Sequence, residues 1–248
     1  MPDLTPLPPN VTLTPLTPRE ALAFFRGKVG TEVTFHADQL WQAEHNIART
    51  VSRLTDAQLI DAIYVLLDAA IAEGLSVRDF ARAIKPRLQQ AGWWGKSEVI
   101  NPATGEILRT TFDASRLRLI YDVNVRQAHA AGRWARIERN AATHPYILYR
   151  TMRDERVRLS HKRWDGVCLP VGDPWWQTHY PPNGWRCRCR AYAISQREFD
   201  ALRAAGEIKT DTPRGATIQY LNKTTGEVQE VPAGIDPGWA YNPGQAAA

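Results

Sequence analysis

The chain has 248 residues, 44% hydrophobic and 23% charged, with a net charge of +5 and a pI near 9.2. That balance suits one large or two small globular domains, and it excludes a membrane protein, because no apolar run approaches the ~18–20 residues that a span requires. Of the 31 basic side chains 25 are Arg, the residue that grips phosphate and carboxylate with two parallel bonds, so the charge favours an acidic partner.

Residues 1–16 are rich in Pro and Thr and lack periodicity, which predicts an extended arm. They lack the basic and apolar regions of a signal peptide, so a compartment that keeps thiols reduced is expected. Residues 17–93 form a helical region. Thr17-Pro18-Arg19-Glu20 has the pattern of a capping box opening a first helix. The stretch 37–54 carries Leu40, Trp41, Ile47, Val51 and Leu54 at helical spacing, predicting a second. Thr55-Asp56-Ala57-Gln58 caps a third and Ser76 starts a fourth, stopped by Gly74 and Gly92, with Pro86 bending the last.

Two β-compatible runs around Asn101-Pro-Ala-Thr-Gly105 predict a hairpin over 94–112. A second Thr-Gly-Glu turn predicts another hairpin in 200–248, followed by an irregular strap anchored by Trp239 and Tyr241. Between them lies 113–199. It opens with the longest helix, about 114–141, whose apolar stripe includes Leu117, Ile120, Ala128, Ala131, Trp134 and Ile137. Asn124 falls near that stripe and is expected to be a satisfied core amide.

All three cysteines, Cys168, Cys187 and Cys189, lie in the second half of this region with His161 and His179. An odd count and a one-residue separation exclude a disulfide framework. Residues two apart in an extended strand face the same way, so Cys187 and Cys189 can present both thiols to one ion, with His161 from a second element. A structural zinc with four N or S ligands is the reading this supports, Cys168 or His179 completing the set. The alternative is that the cysteines are buried small hydrophobes. Trp164, Trp175, Trp176, Tyr180 and Trp185 read as a compact core more than as a base-stacking platform. Arg126, Arg133 and Arg136 on the long helix and Arg186, Arg188 and Arg190 beside the cysteines are candidate nucleic-acid contacts. No catalytic fingerprint is present; a metal-dependent nuclease using His161 as base, or a stand-alone DNA-binding module, remain as alternatives. The expected class is α+β: a helical N-terminal half, a long central helix, and a small irregular β-containing core clamped by zinc, plus two hairpins.

The passage from Tyr149 to Cys189 resembles the head-morphogenesis domain of the phage Mu F-like minor head proteins. The resemblance rests on Asp154, Arg156, Arg158 and His161, on Asp165-Gly166, on Asp173-Pro174 with Trp175 or Trp176, and on Pro181 through Cys189. It extends to "FFRGKV", "RLRLIYDVNVRQAHAAGRW" and "PAGIDPGWAYNPG". It implies a minor structural component of a tailed-phage head, without an established enzymatic activity. Such a protein would sit inside the capsid near the portal, after assembly in the host cytoplasm, with portal and other head proteins as partners and double-stranded DNA as a further contact. Cys168 departs from the family pattern.

Overall fold

The computed structural model describes residues 17–245; the arm 1–16 and the alanines 246–248 lie outside the described residues. Helices α1 (Arg19–Arg26), α2 (Ala57–Glu73) and α3 (Val77–Gln90) precede the hairpin β1 (Gly95–Ile100) and β2 (Ile107–Phe112). The long α4 (Ala114–Arg139) leads into β3 (Tyr146–Arg150), α5 (Leu159–Trp164), β4 (Cys168–Pro170), α6 (Trp175–His179), β5 (Arg190–Ile194) and α7 (Gln196–Ala204). The hairpin β6 (Thr217–Leu221) and β7 (Val228–Pro232) and an irregular tail follow. The architecture is α+β, with an antiparallel three-stranded sheet of order β4-β3-β5 and two separate hairpins.

Local chemistry accounts for most helix ends. The Asp56 carboxylate accepts the Leu59 amide and the Ser76 hydroxyl accepts the Asp79 amide, each satisfying an orphan donor of the first turn. Gly74 stops α2 in the left-handed conformation. Pro86 lies on the exposed face of α3, and the helix continues through it to Gln90, since the carbonyl it leaves unpaired faces water.

Two expectations fail here. Thr17 and Glu20 form no capping box: α1 starts after Pro18 without a side-chain cap. Glu20 instead reaches Arg139 at 2.9 Å and Arg136 at 3.3 Å on α4. The stretch 37–54 is not an α-helix either; only Gln42–Asn46 makes a short 3-10 turn. Its backbone pairs elsewhere, Arg49 N donating to Gly30 O and Glu32 N to Arg49 O, and Ile47 of the supposed stripe is exposed.

Two cores share α4. Its first half, through Leu117, Ile120 and Ala128, packs with Leu22, Phe25, Ile60, Ile63, Leu67, Phe80 and Ile84 of α1–α3. Its second half, through Ala130, Trp134 and Ile137, packs with β3, the tryptophans of α5 and α6, and Ile235 and Trp239 of the tail. Asn124 at the junction donates to Ile120 O (2.9 Å) and accepts from the Tyr64 hydroxyl (3.4 Å), as expected of a satisfied amide.

Candidate metal centre

Asp154 holds the segment after β3 in place by two 2.7 Å bonds from the Arg188 guanidinium. Arg158 reaches across the module to the tail, donating to both carboxylate oxygens of Asp236 at 2.9 Å, and Asp236 also accepts the Trp185 amide at 2.8 Å. Asp165 accepts the Thr151 amide (2.7 Å) and Arg153 Nε (3.0 Å), and Asp173 caps the Trp175 amide at 2.9 Å. Asp154, Arg158, Asp165 and Asp173 of the motif therefore hold one irregular module together.

In the middle of that module, His161 projects from α5 and is 2% exposed. Its Nδ1 lies 3.8 Å from Cys187 Sγ and 3.6 Å from Cys189 Sγ. The three ligand atoms all fall within 4.8 Å of one another. A tetrahedral zinc with ordinary bond lengths would separate a nitrogen and a sulfur ligand by about 3.5 Å, so the donors already stand close to the spacing that an ion demands. The group can bind a metal ion. The expected strand begins only at Arg190; Cys187 and Cys189 lie just before it in irregular backbone after a turn, Cys187 N donating to Gly184 O at 3.1 Å, and both sulfurs still come within 4.8 Å of the His161 donor. Gly184 precedes them because a Cβ there would stand 2.3 Å from Asp236 Oδ2.

The opposite ring nitrogen of His161, Nε2, donates to Gly234 O at 2.9 Å. This fixes the tautomer and leaves the Nδ1 lone pair facing the thiols, the arrangement that metal-bound imidazoles use. The ring also stacks on Trp164, with centroids 4.9 Å apart. Cys187 is held well below the usual thiol range, first by a hydrogen bond from Cys189 and then by His161, against the effect of burial. Cys189 is pushed up, first by that same bond with Cys187 and then by burial. An ion bound there would take both sulfurs as thiolates and displace their protons.

Beside the donors is a space of about 30 Å³ bordered by Met152, Arg156, Arg158, Arg186 and Arg188, with no carboxylate on its wall. Its size is that of about one water.

Cys168 does not reach this group. It lies on β4 opposite Leu148, packing with Ile194 and Phe199 on the far face of the sheet, and burial pushes its thiol up to about 12. Strand alternation explains the separation: Tyr149, one residue on from Leu148, faces the tryptophan core that borders Cys189, so Cys168 opposite Leu148 must face away. His179 also stands apart from the three donors, stacked on Trp175 at 4.5 Å with Thr178 Oγ1 on its Nδ1. Burial holds its pKa down at about 4. Trp164, Trp175, Trp176 and Tyr180 are buried as core, and Trp185 is partly exposed against Trp239.

Among the six arginines, Arg126 pairs with Asp122 (3.3 Å), Arg136 with Glu20 and Arg188 with Asp154. Arg186 donates to Ser115 Oγ at 3.2 Å. Arg133 and Arg190 form no ion pair among the described residues. With Arg136 they flank His129, whose pKa is lowered by burial first and by these three cations next.

The family profile described as Phage Mu protein F like protein matches residues 61–192, more than half of the chain. The chain belongs to this family. Within the Mu F-like family it is 36% identical to the "Putative capsid assembly protein F" of Escherichia phage Mu, over 94% of this chain and 55% of that protein. It is 31% identical to the "Mu-like prophage FluMu F protein" of Haemophilus influenzae, over 87% of this chain and 54% of that one. The chain spans about half the length of the curated relatives it matches. No solved structure matches it. Among the described residues no helix is long and apolar enough to cross a membrane.

The Asp236 anchor and the Gly234 carbonyl are the parts that sequence reasoning missed. They lie 78 and 73 residues from their partners Arg158 and His161, and no local spacing links them.

Proposed function

We propose that this Mu F-like chain is a minor structural protein of a tailed-phage head, acting in head morphogenesis at the portal vertex with other head proteins as partners. The supporting observation is its 36% identity, over nearly its whole length, with a protein named for capsid assembly. His161, Cys187 and Cys189 hold one structural zinc in this reading, with a water in the adjoining space as the fourth donor. The ion would fasten α5, the loop before β5 and the tail to one another, as suits a small module with little regular structure. A nuclease using His161 as general base fits poorly, since one ring nitrogen is spent on Gly234 O and the other faces two thiols.

Metal analysis of the purified chain tests the clamp. About one zinc per chain is expected, lost together with thermal stability in Cys187→Ala/Cys189→Ala. A metal-free wild type with an equally stable variant would leave the cysteines as packing residues. Co-purification with portal protein from an assembling head, set against the yield of infectious particles from the double variant, tests the assembly role.

DNA contact belongs to the same proposal, and the open cations Arg133 and Arg190 beside His129 favour that face for it. Binding should weaken steeply with salt, and Arg133→Ala/Arg190→Ala should make that slope shallower by about two released counterions. Binding indifferent to salt would remove DNA from the list of partners.

A further inference from the structure

Residues 28–53, which include most of the stretch 37–54 expected to be helical, wrap a cavity of about 320 Å³ against α2, α4 and the tail. It is well separated in character from the metal centre. Lys28, Arg53 and Arg116 all line it, and no Asp or Glu does. Among the described residues none of these three cations has a carboxylate within ion-pair distance. Lys28 is 5% exposed, and its ammonium donates to a single carbonyl, His45 O. Arg53 is satisfied by the carbonyls of Phe35 (3.1 Å) and Arg109 (2.7 Å), and Arg116 by that of Ser52 (2.7 Å). Two nearby carboxylates are engaged elsewhere: Glu106 on His36 Nε2 and Asp113 on the Arg116 amide, both at 2.8 Å.

Burying the Lys28 ammonium without a counter-charge is costly, and an anion in the cavity would offset that cost. The groups themselves register the strain. Burial pushes the Lys28 ammonium down to about 8, and Arg116 is lowered by burial and then by neighbouring Arg53. Thr50, Tyr64 and Gln127 add neutral hydrogen-bonding groups to the wall, and Leu119, Val123 and Trp239 line it with apolar surface. The volume falls at the lower end of that of small-ligand sites, about 300–1,000 Å³, and apolar walls with a few convergent polar groups are their usual makeup.

We infer that this cavity binds a small anion, a phosphate or carboxylate carried on an apolar body, with Lys28, Arg53 and Arg116 holding the charged head. The site is independent of the metal and of the head-assembly reading. Phosphate and carboxylate share the chemistry that cations on one cavity wall recognise; the guanidiniums favour an oxyanion with two accessible oxygens.

Equilibrium dialysis of the full chain against labelled phenyl phosphate, benzoate and inorganic phosphate, with benzamide as the neutral control, tests this. Saturable binding of one equivalent is expected for at least one of the anions and none for benzamide. The order of phenyl phosphate and benzoate identifies the head group. Lys28→Met should weaken that binding at least tenfold. Arg53→Gln, at a more exposed position, should weaken it at least threefold and locates the site should Lys28→Met fail to fold. No saturable binding of any anion at millimolar concentration overturns the proposal. So does anion binding that both variants, or Arg53→Gln alone where Lys28→Met does not fold, leave unchanged.

Discussion

At the scale of single residues, Gly234 shows how little of this molecule is interchangeable. Its φ of +104° lies where side chains are rarely tolerated, and a Cβ there would stand 2.7 Å from Ser160 Cβ, next to His161, which faces the two thiols. Gly234→Ala should displace the carbonyl that orients the imidazole. Loss of the proposed zinc to a chelator should then be at least tenfold faster, measured by the absorbance of a zinc indicator; an unchanged rate would mean the carbonyl does not orient the ligand. Lys28 makes a different prediction. Its pKa is about 8 in the fold against 10.5 for the ordinary group, so between these values the unfolded chain binds more protons and stability must rise with pH. Below about pH 8 the penalty of the buried ammonium is fully present; above about 10.5 it is gone. The difference between Lys28→Met and wild type in urea melts should therefore shrink by about 3 kcal/mol across that window. A difference flat with pH would show that Lys28 is solvated.

At the scale of elements, the helices that could be placed in advance are those whose ends carry local chemistry. Asp56, Ser76 and Gly74 act on backbone groups within a few residues, so their effect is written in adjacent letters. Asp56→Ala should cost about 1 kcal/mol in chemical denaturation by leaving the Leu59 amide without its cap; no loss would mean water replaces the carboxylate at no cost. The pattern at Thr17–Glu20 misled because Glu20 finds two guanidiniums on α4, a stronger partner than the amide of its own cap. Residues 37–54 misled for a similar reason. The helical spacing of their apolar residues is real, yet tertiary hydrogen bonds at Lys28, Gly30 and Arg49 take the backbone elsewhere. Both hairpins were legible because each turn starts at an Asn whose carbonyl accepts the amide of the Gly four residues on, Gly105 and Gly226.

At the scale of the whole molecule, the tail after β7 binds the parts together. Asp236 ties it to Arg158 and Trp185, Gly234 to His161, and the Tyr241 hydroxyl sits between Gln127 of α4 and Asn46 of the N-terminal region. Trp239 is buried in the tryptophan core, and Trp185 packs edge-on against it at 5.0 Å. Asp236→Asn should remove the bidentate pair and lower stability by about 1–2 kcal/mol, since the pair is partly open to solvent. It should also raise proteolytic cleavage within 233–245, read by mass spectrometry; a tail that stays protected would place its anchorage in the aromatics alone.

The sequence by itself determined the α+β class, the ends of α2 and α3, the long helix α4, the hairpins, and the nearness of Cys187 and Cys189, two residues apart. Each depends on groups a few residues apart, where backbone geometry leaves little choice. It also carried the family, because the motif residues occur in a fixed order. Only the tertiary structure decided that Cys168 faces away from His161, that Asp236 and Gly234 complete the surroundings of the candidate metal site, and that three cations line one cavity. Those outcomes depend on contacts between groups tens of residues apart, whose formation is set by how α4 and the tail pack and leaves no trace in local spacing.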